Sequence, residues 1–285
     1  MERKHRALLL ALPTVLTLLF FFVAPMVYIL VHTLHENGLS DFVNFFSDPF
    51  YRNILWVTFR VSLVSTAISL VLGYPTAFYM ARTKSRMKQV MMIVILFPFL
   101  VSAVVRSYGW MVILGTNGLL NQLLQKLGII ALYNHLTGSN LEYFTMIDTQ
   151  GAVVLGMVYN YLPFMILPIY SVICKLDYSL LEAARDLGAN TVTVFRKVIL
   201  PLSLPGVLSG ITMVFVPSVS TFAISRMLGG GTELLLGDLI ERQFLGGAYN
   251  PQLGAAISLV MMLIVVVCML VMNRFGEGEE QAVML

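Results

Sequence analysis

The chain has 285 residues, of which 58% are hydrophobic and only 12% charged, where an ordinary soluble domain carries roughly 25% charged residues. A mean hydropathy of +0.84 excludes a water-soluble globule of this length, since no core of that size hides so much apolar surface. The net charge of +3 comes without a basic stripe interleaved with aromatic residues, which excludes nucleic acid as a partner.

Lipid is the solvent that suits this composition. A membrane helix needs about 20 consecutive apolar residues. Six windows meet that length, at about 8–31, 54–80, 90–114, 152–173, 204–224 and 254–272. Backbone groups in hydrocarbon must be satisfied within the segment, so each window predicts a helix. The fold class expected is therefore all-α, a polytopic membrane protein with six transmembrane helices. The first window follows Arg3, Lys4 and Arg6 with no small-residue cleavage site after it, and reads as a retained helix.

Between the third and fourth windows, Leu119, Leu120, Leu123, Leu124 and Leu127 fall at helical spacing and predict a short interfacial helix. Gly229, Gly230 and Gly231 predict a flexible connection after the fifth window. The stretch 233–245 mixes leucines with Asp238, Glu241 and Arg242, as an external amphipathic helix or a short re-entrant element does. Residues 1–275 form one membrane domain, and the acidic tail 276–285 is expected to be disordered. Pro98, Pro163, Pro168 and Pro217 lie inside apolar windows and predict kinks. Cys174 and Cys268 fall in or beside apolar windows and read as unpaired.

Lys and Arg set the orientation. One side of the predicted topology gathers twelve of the 18 basic residues and the other side four, with Arg60 and Arg106 inside windows. Basic residues favour the cytoplasm, so both termini are expected there, in the inner (cytoplasmic) membrane.

The loop 175–201, between the fourth and fifth windows, is cytoplasmic by this argument. It contains Leu181-Glu182-Ala183-Ala184-Arg185-Asp186-Leu187-Gly188 and ends on Leu200-Pro201. Good helix formers stop at Gly188, and Asn190 or Thr191 supplies the cap of a second helix. Ala183 and Ala184 let another surface approach closely, and Glu182 offers it a carboxylate.

This spacing resembles the EAA loop of bacterial ABC importer permeases, the MetI-like, binding-protein-dependent family. The resemblance rests on Glu182, Ala183, Ala184, Gly188, Leu200 and Pro201; Val198 stands where the family usually has isoleucine. It implies a MetI-like permease fold, and it makes those six residues the ATPase-coupling loop. The partners it implies are an ABC ATPase dimer, a second homologous permease subunit and an external solute-binding protein. ATP would be bound by the partner subunits, since the chain has no phosphate loop, no cofactor motif and no catalytic or metal-binding motif of its own.

The order of Val71-Leu72-Gly73-Tyr74-Pro75, Phe97-Pro98-Phe99, Val105-Arg106-Ser107-Tyr108-Gly109 and Tyr161-Leu162-Pro163-Phe164-Met165 is similar to the spermidine/putrescine permease branch. Ferric iron, thiamine, sulfate and phosphonate permeases share parts of the pattern. A polyamine pathway needs carboxylates or aromatic faces. No acid lies mid-window, so Tyr108, Trp110, Tyr159, Asn160 and Tyr161 are the candidate pathway residues. Arg60 and Arg106 point the other way, toward an anion. A secondary ion-coupled transporter is the alternative of another class. It is disfavoured because His5, His32, His35 and His135 all fall outside the window centres.

Overall fold

Long apolar runs become long helices here because each residue added to a helix satisfies one more backbone pair. The structure, a computed structural model, describes residues 12–37, 39–231, 234–247 and 249–283. The basic cluster Arg3, Lys4 and Arg6, and the expected helix start at Leu8, lie outside the described residues.

Helix α1 is the apolar span Leu12–His35, and α2 is Ser40–Ser47. Helix α3, Pro49–Arg82, keeps Pro75 within its length. Helix α4, Ser85–Leu96, runs into a 3-10 turn at Phe97–Leu100, and α5 follows at Ala103–Leu114. Short helices α6, Leu119–Lys126, and α7, Ile129–Thr137, precede the long α8, Gln150–Lys175. Next come α9, Tyr178–Asp186, and α10, Thr191–Ser220. The chain closes with α11, Ala223–Leu228, α12, Leu236–Leu245, and α13, Pro251–Val283. Among the described residues, five helices are long and apolar enough to span a membrane, and a bent pair makes up to six.

That bent pair corrects the predicted third helix. Residues Ser85–Leu100 and Ala103–Lys126 meet at 93°. Pro98 removes a backbone donor, and Val101 and Ser102 are extended (ψ 137° and 141°), so the ladder stops there. Pro163 and Pro168 in α8 and Pro217 in α10 leave their helices continuous. The fifth span also differs from expectation. It starts at Thr191 rather than 204, and it ends at Ser220 before the extended Thr221 (ψ 144°). The tail expected to be disordered continues α13 as helix to Val283. Extending an existing helix avoids a new nucleation step, and Glu279, Glu280, Gln281 and Ala282 are good helix formers.

The described residues fall into two units, Met1–Asn53 with Leu239–Leu263, and Ile54–Asp238 with Ile264–Leu285. In the first, α1 exposes its apolar side chains along its length, as a helix facing lipid or another subunit does. Phe45 is fully buried and stacks on Tyr51 at 5.7 Å. Gly254 lets α13 approach the Phe244 ring.

The second unit is built on close helix contacts. Lipid tails are as apolar as leucine, so membrane helices associate by packing rather than by leaving water. Gly206 and Gly210 of α10 lie directly against the backbone of Pro168, Ile169 and Met165 on α8. Gly73 lets α3 meet the Met165 side chain. One buried cluster joins Val61, Leu114, Val153, Met157, Ile224 and Leu228, and a second joins Met80, Met165, Ile166, Ile169, Val207 and Val214.

Two of the three glycines after α11 take left-handed backbone conformations. Gly230 and Gly231 adopt φ of 60° and 73°, and Asp148 donates its N–H to Leu228 at 2.9 Å. Asp148 occupies the space a Cβ on Gly230 would need. In the stretch after it, Leu235 and Leu236 are fully buried, and the Leu236 N–H donates to Thr58 Oγ1 at 2.9 Å.

Asn121 of α6 is a buried clamp. Its amide donates to Gly115 O at 3.1 Å and Phe144 O at 3.0 Å, and its Oδ1 accepts from Phe144 N at 3.0 Å. Asn121→Ala strands these backbone groups, at a cost of about 1–3 kcal/mol each where they remain dry. A lowered thermal midpoint of the purified protein is the expected result; an unchanged midpoint means water replaces the clamp.

Candidate functional site

The segment around Glu182 is shaped by its own local chemistry. Asp177 caps α9, its Oδ1 accepting from Ser179 N at 2.9 Å. That backbone hydrogen bond holds the Asp177 carboxyl below its usual range. The helix ends in a Schellman arrangement: Gly188 N–H donates to Arg185 O at 2.8 Å, and Ala189 N–H to Ala184 O at 3.1 Å. Gly188 sits at φ 83°, and a Cβ there would meet nothing within 4 Å. Asn190 then caps α10, accepting from Thr193 N at 2.8 Å. The expected helix–turn–helix is present, with Asn190 rather than Thr191 as the cap.

One face of this motif is anchored and the other is bare. Leu181, Val194 and Ile199 are buried together, with Phe78, Leu176 and Phe195 against them. Glu182, Ala183, Arg185 and Gly188 are exposed. Leu187 is 89% and Val192 72% exposed, so the turn between the helices also presents apolar side chains.

Leu200 and Pro201 lie outside this turn. The expected loop does not end in a separate second helix; α10 continues through a π turn at Phe195–Ile199. Leu200 N–H reaches back to Phe195 O. Pro201 has no N–H to offer the preceding turn, and widening that turn relieves the proline ring's clash with it. Leu200 is half-buried and Pro201 exposed.

Of the five aromatic and amide candidates, the structure brings two together. Trp110 of α5 and Tyr159 of α8 meet edge to face at 5.5 Å. Tyr108 is two residues from Trp110, on another face of α5, and is 56% exposed. Asn160 turns inward at 2% exposure; its Nδ2 donates to Gly156 O at 2.8 Å, and its Oδ1 has no hydrogen bond. Tyr161 is partly buried against both core clusters. Three consecutive helical residues point about 100° apart, so Tyr159, Asn160 and Tyr161 share no face.

The two intramembrane arginines differ. Arg60 donates to Gln150 Oε1. Arg106 lies over the Phe99 ring at 5.2 Å, and its Nε and Nη1 are buried without a hydrogen-bond partner. No group of His, Cys, Asp or Glu suited to a metal occurs among the described residues.

A family model described as binding-protein-dependent transport system inner membrane component matches residues 69–278. The chain belongs to this family. It is the transmembrane, non-catalytic permease subunit of an ABC importer, a multi-pass membrane protein of an assembly that in this family pairs permeases with an ATPase and a binding protein. The permease is 36% identical over 270 residues, 91% of this chain and 90% of the relative, to the spermidine/putrescine transport system permease protein PotB of Haemophilus influenzae. Among solved structures, a bacterial ABC transporter involved in import of the acidic polysaccharide alginate matches with a TM-score of 0.74 at 17% identity, over 97% of this chain and 96% of that one. The MetNI methionine ABC transporter, inward facing, matches with a TM-score of 0.57 at 18% identity, over 80% of this chain and 94% of that one. At these identities the structural likeness establishes the MetI-like fold, not the substrate.

Proposed function

We propose that this permease carries polyamines, spermidine and putrescine, across the cytoplasmic membrane, driven by ATP hydrolysis on partner subunits. The observation that carries the reading is the 36% identity, over 91% of the chain, to a permease named for spermidine and putrescine. Both termini face the cytoplasm, as the bias of basic residues supports. The helix–turn–helix from Asp177 to Val194 then lies on the cytoplasmic side, where its bare face seats on one subunit of an ATPase dimer. Glu182 supplies the charge in that contact, Ala183 and Ala184 the close approach, and Gly188 the turn. Leu200 and Pro201 transmit the motion into α10 through the π turn. A second homologous permease completes the pathway, and an external solute-binding protein delivers substrate.

Aromatic faces attract ammonium groups by about 0.5–2 kcal/mol each, more when desolvated. The edge-to-face pair of Trp110 and Tyr159 is the part of the candidate pathway best placed to do so, with Tyr108, Asn160 and Tyr161 around it. Arg106 is the observation that favours an anionic substrate instead, because its guanidinium, with Nε and Nη1 lacking hydrogen-bond partners, repels a polycation.

The test is ATP-driven uptake of labelled spermidine and putrescine into proteoliposomes holding the whole complex, with sulfate as the competing solute. Saturable polyamine uptake untouched by sulfate is expected. Sulfate uptake without polyamine uptake overturns the substrate and keeps the importer.

A further inference from the structure

Behind α9, a small cavity of about 100 Å³ opens between the ends of α3 and α8. Leu181 of α9 and Ile199 of the π turn form part of its wall, and Arg82 and Lys88 stand at its mouth. Lys88 also borders a second, more open cavity, of about 530 Å³, which runs along α4 past Met92 and Ile93. No aspartate or glutamate lines either cavity among the described residues.

The two cations are held in place without being neutralised. The Arg82 guanidinium sits 4.2 Å from the centre of the Phe78 ring, and the Lys88 ammonium 4.9 Å from that of Tyr170. Lys88 Nζ also donates to Cys174 Sγ at 3.3 Å. The C-terminal ends of α3 and α8 contribute about half a negative charge each, and the N-terminal end of α4 returns half a positive one. About one and a half positive charges therefore remain in excess at the mouth of an otherwise apolar cavity.

We propose that the two cavities together bind an anionic phospholipid, its phosphate between Arg82 and Lys88 and an acyl chain along Met92 and Ile93. The shared chemistry is a phosphate anion. The apolar groove continuing from Lys88 selects the lipid over free phosphate, which has nothing to place there. Basic pockets between membrane helices are well suited to such headgroups. With Leu181 and Ile199 in its wall, an occupied site braces α9 from behind; this consequence rests on the coupling role proposed above, whereas the binding does not.

The experiment uses the whole complex in nanodiscs of phosphatidylcholine with added phosphatidylglycerol, followed by native mass spectrometry of the lipid retained, without ATP or substrate. Wild type retains phosphatidylglycerol. The double substitution Arg82→Gln, Lys88→Gln lowers retention by about tenfold or more, as expected for two lost headgroup contacts. Lys84→Gln, Arg86→Gln removes the same charge from the same connection outside the cavities and leaves retention unchanged. Equal loss in both double variants overturns the site in favour of diffuse surface charge. Displacement of the lipid by millimolar inorganic phosphate overturns the acyl part. Lys88→Arg restores retention if the cation is what matters, and failure of that rescue in a folded complex also counts against the site. Because no transport is read, failure of the polyamine assignment leaves this result standing. ATP-driven uptake on adding phosphatidylglycerol then tests the brace: stimulation in wild type and not in the cavity variant is expected.

Discussion

Gly206→Leu is expected to abolish accumulation of folded permease, with Gly210→Leu close behind. A Cβ at position 206 would lie 2.9 Å from Pro168 O and 3.1 Å from Ile169 Cα. These are backbone atoms of a helix packed on several sides, and no rotamer change moves them. At Gly210 the clash is shared between Met165 Sδ at 2.8 Å, which can move, and Met165 O at 3.1 Å, which cannot. Overpacking a dense core by a few methylenes costs about 1–3 kcal/mol and sometimes more. In lipid the loss is compounded, because separating the helices forfeits the dispersion contacts that hold them and no hydrophobic effect returns them. Leucine therefore exceeds what a domain stable by about 5–15 kcal/mol tolerates more readily than alanine does. Gly206→Ala should lower the thermal midpoint without eliminating the protein. Ser209→Leu, on an exposed face of the same helix, should be silent. Yield and monodispersity on size-exclusion chromatography separate these outcomes; wild-type yield of Gly206→Leu means α8 and α10 are not held by this contact.

Such contacts mark the boundary of what the sequence made legible. Long apolar windows are a strong signal because lipid leaves the backbone one choice: windows 54–80 and 152–173 correspond to Pro49–Arg82 and Gln150–Lys175, whereas the fifth span begins at Thr191 rather than 204 and the third is broken after Pro98. Packing is a weak signal, because it depends on which residues meet across the chain. Gly206, Gly210 and Gly73 look like ordinary membrane glycines until Met165 and Pro168 are found against them. Asn121 reads as a polar residue of an interfacial helix, whereas its surroundings make it a clamp between Gly115 and Phe144. Pro98 was visible, but whether a proline kinks a helix or breaks it depends on tertiary support: α8 keeps two prolines because α10 packs along it, and the segment after Pro98 instead becomes extended.

The exposed helix–turn–helix was legible for a different reason. Its signals are local: Gly188 as the stop and Asn190 as a cap, each within reach of its own neighbours in sequence, though the Asp177 cap went unread. The buried side of the motif, Leu181 with Val194 and Ile199, was not legible, since those residues are no more apolar than the exposed Leu187 and Val192. The aromatic candidates show the same limit. Spacing could place Trp110 and Tyr159 on separate helices, but only the fold decides that they touch while Asn160 turns away.

Glu182→Lys is expected to leave the permease folded and reduce ATP-driven uptake by about a hundredfold or more. Glu182 is exposed and points about 100° around α9 from the buried Leu181, so reversing its charge leaves the buried cluster intact. The loss must then come from whatever covers this face. Juxtaposed like charges at an interface cost several kcal/mol, and each 1.4 kcal/mol is a factor of ten. Uptake near wild type would remove Glu182 from the proposed coupling contact. Restoration of uptake by the opposite charge reversal on the ATPase would identify the partner side chain. Gly188 allows the turn and the contact to be separated. With φ at 83°, valine costs about 1–2 kcal/mol in the left-handed region, whereas asparagine is tolerated there. The chain itself leaves the space beyond Gly188 open, so Gly188→Asn preserves the turn. If Gly188→Val impairs uptake and Gly188→Asn does not, backbone geometry is what coupling requires. If both fail in folded protein, another surface must fill that space, and the missing side chain at position 188 is where the ATPase makes its closest approach.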